Sequence, residues 1–295
     1  MSALVFAASP PKDTPSHYEA LQLVTSTVHR NLKLGHVTSA LDNCYNGVLS
    51  LLKYKRVEIA SQLSMFYLDC LTDTRTRADE GTLHRILTVH KAYISSYQAG
   101  SDASVKQAQF HIDFLKAAIK WSDSLGEILL GSFELHKALA EVLWSAKQYS
   151  RSVLHFSLAE CPTELVAKLC TVNDDYERDA LLCLAGCNFM ACENMRDASK
   201  MFIRYRLNYG KGAKYDGVKP TRPATFICWL IEICKRGSPS GSSVKLFNWV
   251  LHQFDDLQQK ERTLTPLLQK IGRVYFDMKP PPNMMNMLES MLGVG

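Results

Sequence analysis

The chain has 295 residues, 46% hydrophobic and 21% charged, which allows one elongated or two compact folded domains and excludes bulk disorder. Fifteen glycines and eleven prolines are too few for a turn-rich β-sandwich or barrel, and a net charge of +5 does not by itself argue for nucleic acid. Nine scattered cysteines without a CxxC pair exclude a disulfide framework and read as small buried hydrophobes in a reducing compartment.

Residues 1–15 read as a flexible N-terminal segment with three prolines. Leu4, Val5 and Phe6 form a short apolar patch with no basic stretch before it, so no secretory signal is expected and the cytosol is the expected compartment. No run approaches the roughly 18 apolar residues of a membrane span.

From residue 16 onward helical periodicity dominates. Helices are predicted at 16–33, 36–53, 55–72, 79–98, 104–121, 127–146, 148–159, 162–172, 176–192, 194–209, 223–236, 241–254, 264–277 and 284–292. Val105, Ala108, Ile112, Leu115 and Ile119 are spaced 3, 4, 3 and 4, one face of a helix. Leu41, Cys44, Tyr45, Val48, Leu51 and Leu52 make a similar stripe. Gly35 stands where a helix-terminating glycine would, 123–126 (DSLG) separates two apolar stretches, 237–243 (GSPSGSS) is a linker, and Pro280, Pro281 and Pro282 end the last long helix. The pairs recur about every 35–45 residues, the length of one helical hairpin. Residues 143–149 (LWSAKQY) have the flavour of a tetratricopeptide junction, though the repeats are degenerate. The predicted fold is therefore all-α: an α-solenoid of stacked antiparallel helix pairs, a tetratricopeptide-like superhelix with N-terminal (16–160) and C-terminal (161–295) halves.

Residues 208–222 (NYGKGAKYDGVKPTR) differ. Asp216-Gly217 is the strongest hairpin-turn signal in the chain, so 210–219 is either a small β-hairpin or a plain loop. From Arg204 to Arg222 there are six basic residues and one acidic, with Tyr205, Tyr209 and Tyr215 among them. That pattern suits RNA backbone contacts with stacking, contact with an acidic protein, or a solvated surface.

Motifs for chemistry are wanting. Gly210 to Lys214 lacks the spacing and the hydroxyl residue of a phosphate-binding loop, and 237–241 (GSPSG) has proline where a nucleophilic serine would stand. Cys183 and Cys187 could share a helix face, but no second ligand pair follows at zinc spacing, and His84 and His90 point to different faces. Asp174, Asp175 and Glu177 suit the positive end of a helix dipole. No catalytic residue, cofactor or metal is expected, and neither is an enzyme. The last third carries Phe226, Trp229, Leu230, Ile233, Phe247, Trp249, Val250, Phe254, Tyr275 and Phe276, then a methionine-rich tail. These residues either fill the terminal hairpin's core or line a partner groove, because an end repeat has no neighbour on one side.

Taken in order, several stretches resemble the Golgi to ER traffic protein 4 family, cytosolic adaptors in the guided entry of tail-anchored proteins. They are 17–21 (HYEAL), 48–53 (VLSLLK) followed by 58–63 (EIASQL), and 114–122 (FLKAAIKWS). Leu135-His136, Leu143-Trp144, Tyr149, His155-Phe156, Trp229, 271–276 (IGRVYF), Pro280-Pro281 and 291–293 (MLG) follow in register. The resemblance spans roughly 16–293. It implies a non-enzymatic bridge in which the N-terminal half binds the homodimeric targeting ATPase, largely through charge. The C-terminal half binds a ubiquitin-like-domain adaptor, partly through an inserted hairpin, and in animals the family also joins a BAG-domain chaperone. Carried over by position, Lys33 and Asp69 face the ATPase, and Gln62 replaces a family acid. Tyr215, Phe226, Trp229, Leu230, Ile233, Tyr275 and Phe276 fall at the adaptor site. The usual basic helix before 17–21 is not legible in 1–15. No membrane insertion and no nucleic acid are implied. Two other readings remain open: a tetratricopeptide-like scaffold of an unrelated complex, and an RNA-binding helical-repeat protein using 204–222.

Overall fold

The computed structural model describes residues 14–97, 102–210, 221–237 and 241–279. Of the N-terminal segment 1–15, residues 1–13 lie outside them and Thr14 and Pro15 open the first helix; of the candidate hairpin 210–219, Gly210 ends a helix and 211–219 with Tyr215 lie outside, as does the predicted helix 284–292. Among the described residues the fold is all-α, with fourteen helices and no strand. The chain divides into two compact units, Met1–His155 and Phe156–Gly295.

The first unit stacks α1 (Thr14–Lys33), α2 (Val37–Lys53), α3 (Val57–Asp73), α4 (Glu80–Ser96), α5 (Asp102–Leu125) and α6 (Phe133–Ser145), and α7 (Tyr149–Leu158) carries the division. The apolar stripe read on α2 faces inward: Leu41, Cys44, Val48, Leu51 and Leu52 meet Ile59, Leu63 and Tyr67 of α3 in one continuous core, which Ile112 and Leu115 of α5 join, whereas Val105, read on the same α5 stripe, is exposed near the helix start. The second unit holds α8 (Pro162–Leu169), α9 (Asp175–Ala191), α10 (Met195–Gly210), α11 (Arg222–Lys235), α12 (Gly241–Gln253), the short α13 (Asp255–Lys260) and α14 (Leu264–Phe276). Its centre is α9, almost wholly buried, against which α10, α11 and α14 pack.

A backbone motif repeats where the sequence repeats are degenerate. At Gly35, Lys55, Arg75, Lys147, Glu160 and Glu193 the helix ends in a left-handed residue, φ 51° to 76°. Each time, that residue's N–H donates to the carbonyl three back and the next N–H to the carbonyl five back. Examples are Lys55 to Leu52 (2.9 Å) with Arg56 to Leu51 (3.0 Å), and Glu193 to Met190 (2.9 Å) with Asn194 to Phe189 (2.9 Å). This is the Schellman stop, which satisfies the last carbonyls and reverses the chain within a few residues. Only Gly35 is the residue type that the conformation favours. The five charged residues each accept about 1 kcal/mol of strain that helix packing offsets. Helix starts are capped by side chains: Asp79 accepts from the Thr82 N–H at 2.8 Å, Asp174 from the Glu177 N–H at 2.7 Å, and Thr221 caps α11.

Boundaries differ from the sequence reading: α8 ends at Leu169 instead of 172, the short α13 was not expected, and the largest changes flank residue 126. α5 runs through 123–125 because Ser124 bonds back to the Lys120 carbonyl and continues the turn. Residues 127–132, expected in a helix, form a loop in which Leu130 (φ 70°) and Gly131 (φ 98°) are left-handed. The Asp123 carboxylate accepts the Leu130 N–H at 2.8 Å, and the Leu130 carbonyl accepts from His136 at 2.9 Å, so the loop is tied at both sides of the bend.

One close approach sets the second unit. A Cβ at Gly186 of α9 would lie 2.4 Å from Ile227 Cδ1 and 2.7 Å from its Cγ1, so α9 and α11 meet where one has no side chain.

Candidate functional site

The charged candidates lie in the first unit. Lys33 is exposed in the last turn of α1. Gln62 and Asp69 are exposed on α3, seven residues apart and so nearly in line, with Glu58 and Met65 on the same stripe. The opposite side of α3 is core: Ile59, Ala60, Leu63, Tyr67 and Leu71. His29 of α1 rests on Phe66 of α3 with ring centroids 5.1 Å apart. Burial therefore fixes the helix while the charged stripe stays in water, suited to fast, salt-sensitive contacts.

The aromatic candidates lie in the second unit, on α11, α12 and α14. Trp229 is 40% exposed and stacks on Trp249, 49% exposed, at 5.9 Å between centroids and 15° between planes. Phe254 meets Trp229 edge-on at 5.6 Å, and Phe226 at 5.1 Å. Arg222 covers Phe254 at 4.9 Å and is held by Asp256 at 2.5 Å and the Gln253 carbonyl at 2.9 Å. Ile233 is half-buried one turn beyond Trp229, and Leu246, one turn before Trp249, is 48% exposed. Phe226, Leu230 and Phe276 are fully in the core, Phe276 stacked on Phe247 at 4.6 Å, so they support the aromatic face from beneath. Tyr275 is half-buried, and its hydroxyl, inside and without a hydrogen bond, has its pKa pushed up to about 12 by desolvation. Two stacked, half-exposed tryptophans above a rigid phenylalanine layer form an apolar anchor of the kind that dominates protein interfaces. Leu246 and Trp249 were not singled out as site residues in the sequence. Their i,i+3 spacing on a helix with Phe247 and Val250 turned inward was the available signal.

Four of the nine histidines form two internal pairs. His90 Nδ1 lies 2.9 Å from His111 Nε2, and His111 Nδ1 lies 2.5 Å from the Tyr97 hydroxyl, with Tyr93 stacked on His111. His136 Nε2–H donates to the Leu130 carbonyl, so its Nδ1 accepts from His155 Nδ1–H at 2.8 Å. Burial lowers His90 and His155 to about 4 and His111 to about 2, and lowers His136 as well. His84, as expected, is on the other face of α4 and exposed. In the second unit Tyr205, read as a possible stacking residue, is buried instead. Its hydroxyl donates to Asp179 and accepts from Arg178 Nε at 2.8 Å, while the Thr221 hydroxyl donates to Asp179 at 2.7 Å. Cys183 and Cys187 are buried free thiols that share a hydrogen bond. No group of three or more His, Cys, Asp or Glu side chains could hold a metal among the described residues, and no described helix is long and apolar enough to cross a membrane.

Helical hairpins closed by Schellman turns, stacked with their candidate contacts on outward helix faces, define an α-solenoid protein. The sequence pattern of the Golgi to ER traffic protein 4 family matches residues 35–294, and the chain belongs to that family. It is similar to Protein GET4 of Arabidopsis thaliana, 23% identical over 304 residues that cover 94% of this chain and 90% of the plant protein. The crystal structure of C. therm. Get4 matches with a TM-score of 0.72 at 19% identity, covering 100% of this chain and 94% of that one, a likeness that bears on the fold. Membership carries a role in the guided-entry pathway for tail-anchored proteins and contacts with other components of that pathway.

Proposed function

We propose that the chain is a non-enzymatic cytosolic adaptor that bridges a ubiquitin-like-domain adaptor to the homodimeric targeting ATPase. The observation that carries the reading is the stacked Trp229–Trp249 pair, half-exposed in the unit where the resemblance puts the adaptor contact. Trp229, Ile233, Trp249 and Leu246 make that contact, with Phe226, Leu230, Tyr275 and Phe276 shaping it, and Tyr215 joins from the segment outside the described residues. Burying two tryptophans gives a long-lived complex. Lys33 and Asp69, with Gln62 beside them, meet the ATPase through exposed charge, which gives quick exchange. A BAG-domain chaperone is a further partner where the organism has one.

The test is purification of the tagged chain from its own cells, first at moderate and then at high salt. A ubiquitin-like-domain protein retained at high salt together with an ATPase lost there supports the bridge. Recovery of another complex in their place leaves the fold standing and removes the function.

A further inference from the structure

Helix α10 carries an outward face that the described residues of its unit leave exposed. Ala198, Met201 and Tyr205 turn inward and are buried. Outward stand Arg196, Lys200 and Arg204, at i, i+4 and i+8, and beside them Ser199, Ile203 and Leu207 at the same spacing. Ile203 and Leu207 are each 54% exposed. Arg196 is compensated by Asp197 (3.1 Å) and Glu160 (3.3 Å), whereas Lys200 and Arg204 have no ion pair among the described residues. From Ala198 to Gly210 the helix has no acidic residue. Like charges four apart weaken an isolated helix, and exposed branched aliphatics contribute nothing to it. Both features cost the free chain something and gain only when acids and apolar side chains cover them.

We propose that this face of α10 docks an acidic amphipathic helix of a partner protein. The two rows run parallel along the i±4 direction, with a groove between the cationic and the aliphatic ridge. A second helix packs a ridge of its own into such a groove. The complement is a helix with apolar residues four apart, flanked on one side by Glu or Asp. Nucleic acid suits the face less well: Tyr205, the described tyrosine within this stretch, is buried on Asp179 and gives bases no platform. The ridge residues lie on α10, whereas the tryptophan pair stands on α11 and α12.

The full chain would be titrated against a labelled helix-forming peptide of about 20 residues, some 30 Å long, with Leu at every fourth position and Glu alongside. A peptide with Lys in place of Glu, an oligouridylate and phosphatidylserine-containing vesicles would be run beside it. The acidic peptide should bind, with affinity falling as salt is raised. The double variants K200E/R204E and I203S/L207S should each lower that affinity about tenfold or more, both ridges being needed. Melting temperatures should stay near that of the parent, and Trp229→Ala should leave peptide binding unchanged. The proposal is overturned if the acidic peptide fails to bind or binds both double variants as well as the parent. It is equally overturned if the Lys peptide binds as tightly, or if the oligouridylate or the vesicles bind more tightly through Lys200 and Arg204.

Discussion

In the first unit the side-chain networks of titratable groups inside the core are neutral rings, His90 with His111 and Tyr97, and His136 with His155. In the second they are charged: Arg178 and Asp179 share the Tyr205 hydroxyl, and Asp179 also receives Thr221. The outer faces run the other way, with charge on the first unit's α3 and paired tryptophans on the second unit's α11 and α12. The difference teaches that the two units respond to different conditions. Acid attacks the one whose core depends on uncharged imidazole. Loss of a single carboxylate attacks the one whose core depends on a compensated charge.

The largest effect is expected at Asp179. Asp179→Ala strands Tyr205, Thr221 and the buried side of Arg178, and should cost about 3–5 kcal/mol in urea unfolding. A cost under about 1 kcal/mol would mean water replaces the carboxylate and the network is not a strut.

Acid comes next. Each paired imidazole titrates near 6.5 when unfolded, against about 4 for His90 and His155 and about 2 for His111 when folded. Between those values the unfolded chain holds the extra proton, so acid favours unfolding. The contribution is complete above pH 6.5 and is lost as pH falls toward 4. His90, His111 and His155 should each account for about 1–2 kcal/mol between pH 6.5 and 5, and His136 acts in the same direction. Hydrogen exchange at pH 7 and 5 should show protection falling first in α4 to α6. Equal loss in α9 and α11 would erase the contrast between the units.

A smaller effect belongs to the tryptophan pair. Trp229→Ala with Trp249→Ala should weaken the ubiquitin-like adaptor complex by about 2 kcal/mol or more, read by calorimetry. The melting temperature should move little, because both rings are already half in water. A large fall in melting temperature would make the pair core. The smallest effect is electrostatic: Asp69→Lys or Lys33→Glu should weaken ATPase binding by about 1 kcal/mol at low salt, less at high salt, with stability within about 0.5 kcal/mol of the parent. Insensitivity to salt would remove the charged face from the mechanism.

The helices were legible because their apolar stripes are regular, as in α2, and the helix start at Asp174 was legible from residue type, whereas the Thr221 cap was not singled out. The turns were not. Five of the six Schellman stops place Lys, Arg or Glu where the rule favours glycine, so the structural repeat left no trace in composition. The loop at 127–132 carries apolar Ile128, Leu129 and Leu130, which read as helix, while the bonds that bend it come from Asp123 and His136 on the flanking helices α5 and α6. The histidine pairs are 21 and 19 residues apart and have no local signal. At the aromatic face, sequence gave the residue types but not their depth. Whether Trp229 or Phe226 faces water depends on where α12 lies, and only the packed helices decide it.

The missing side chain at Gly186 has a reach beyond its own contact. Ile227 fills that space two residues before Trp229 on the same helix, so the clearance between α9 and α11 fixes how high the indole stands. One added carbon would force the Ile227 side chain, or the helix that carries it and Trp229, to move, like a shim beneath a beam. A position buried in the middle of the unit, touching no ligand, thus acts as the gauge for a surface several ångströms away. Tolerance to substitution there should track recognition as closely as it tracks folding.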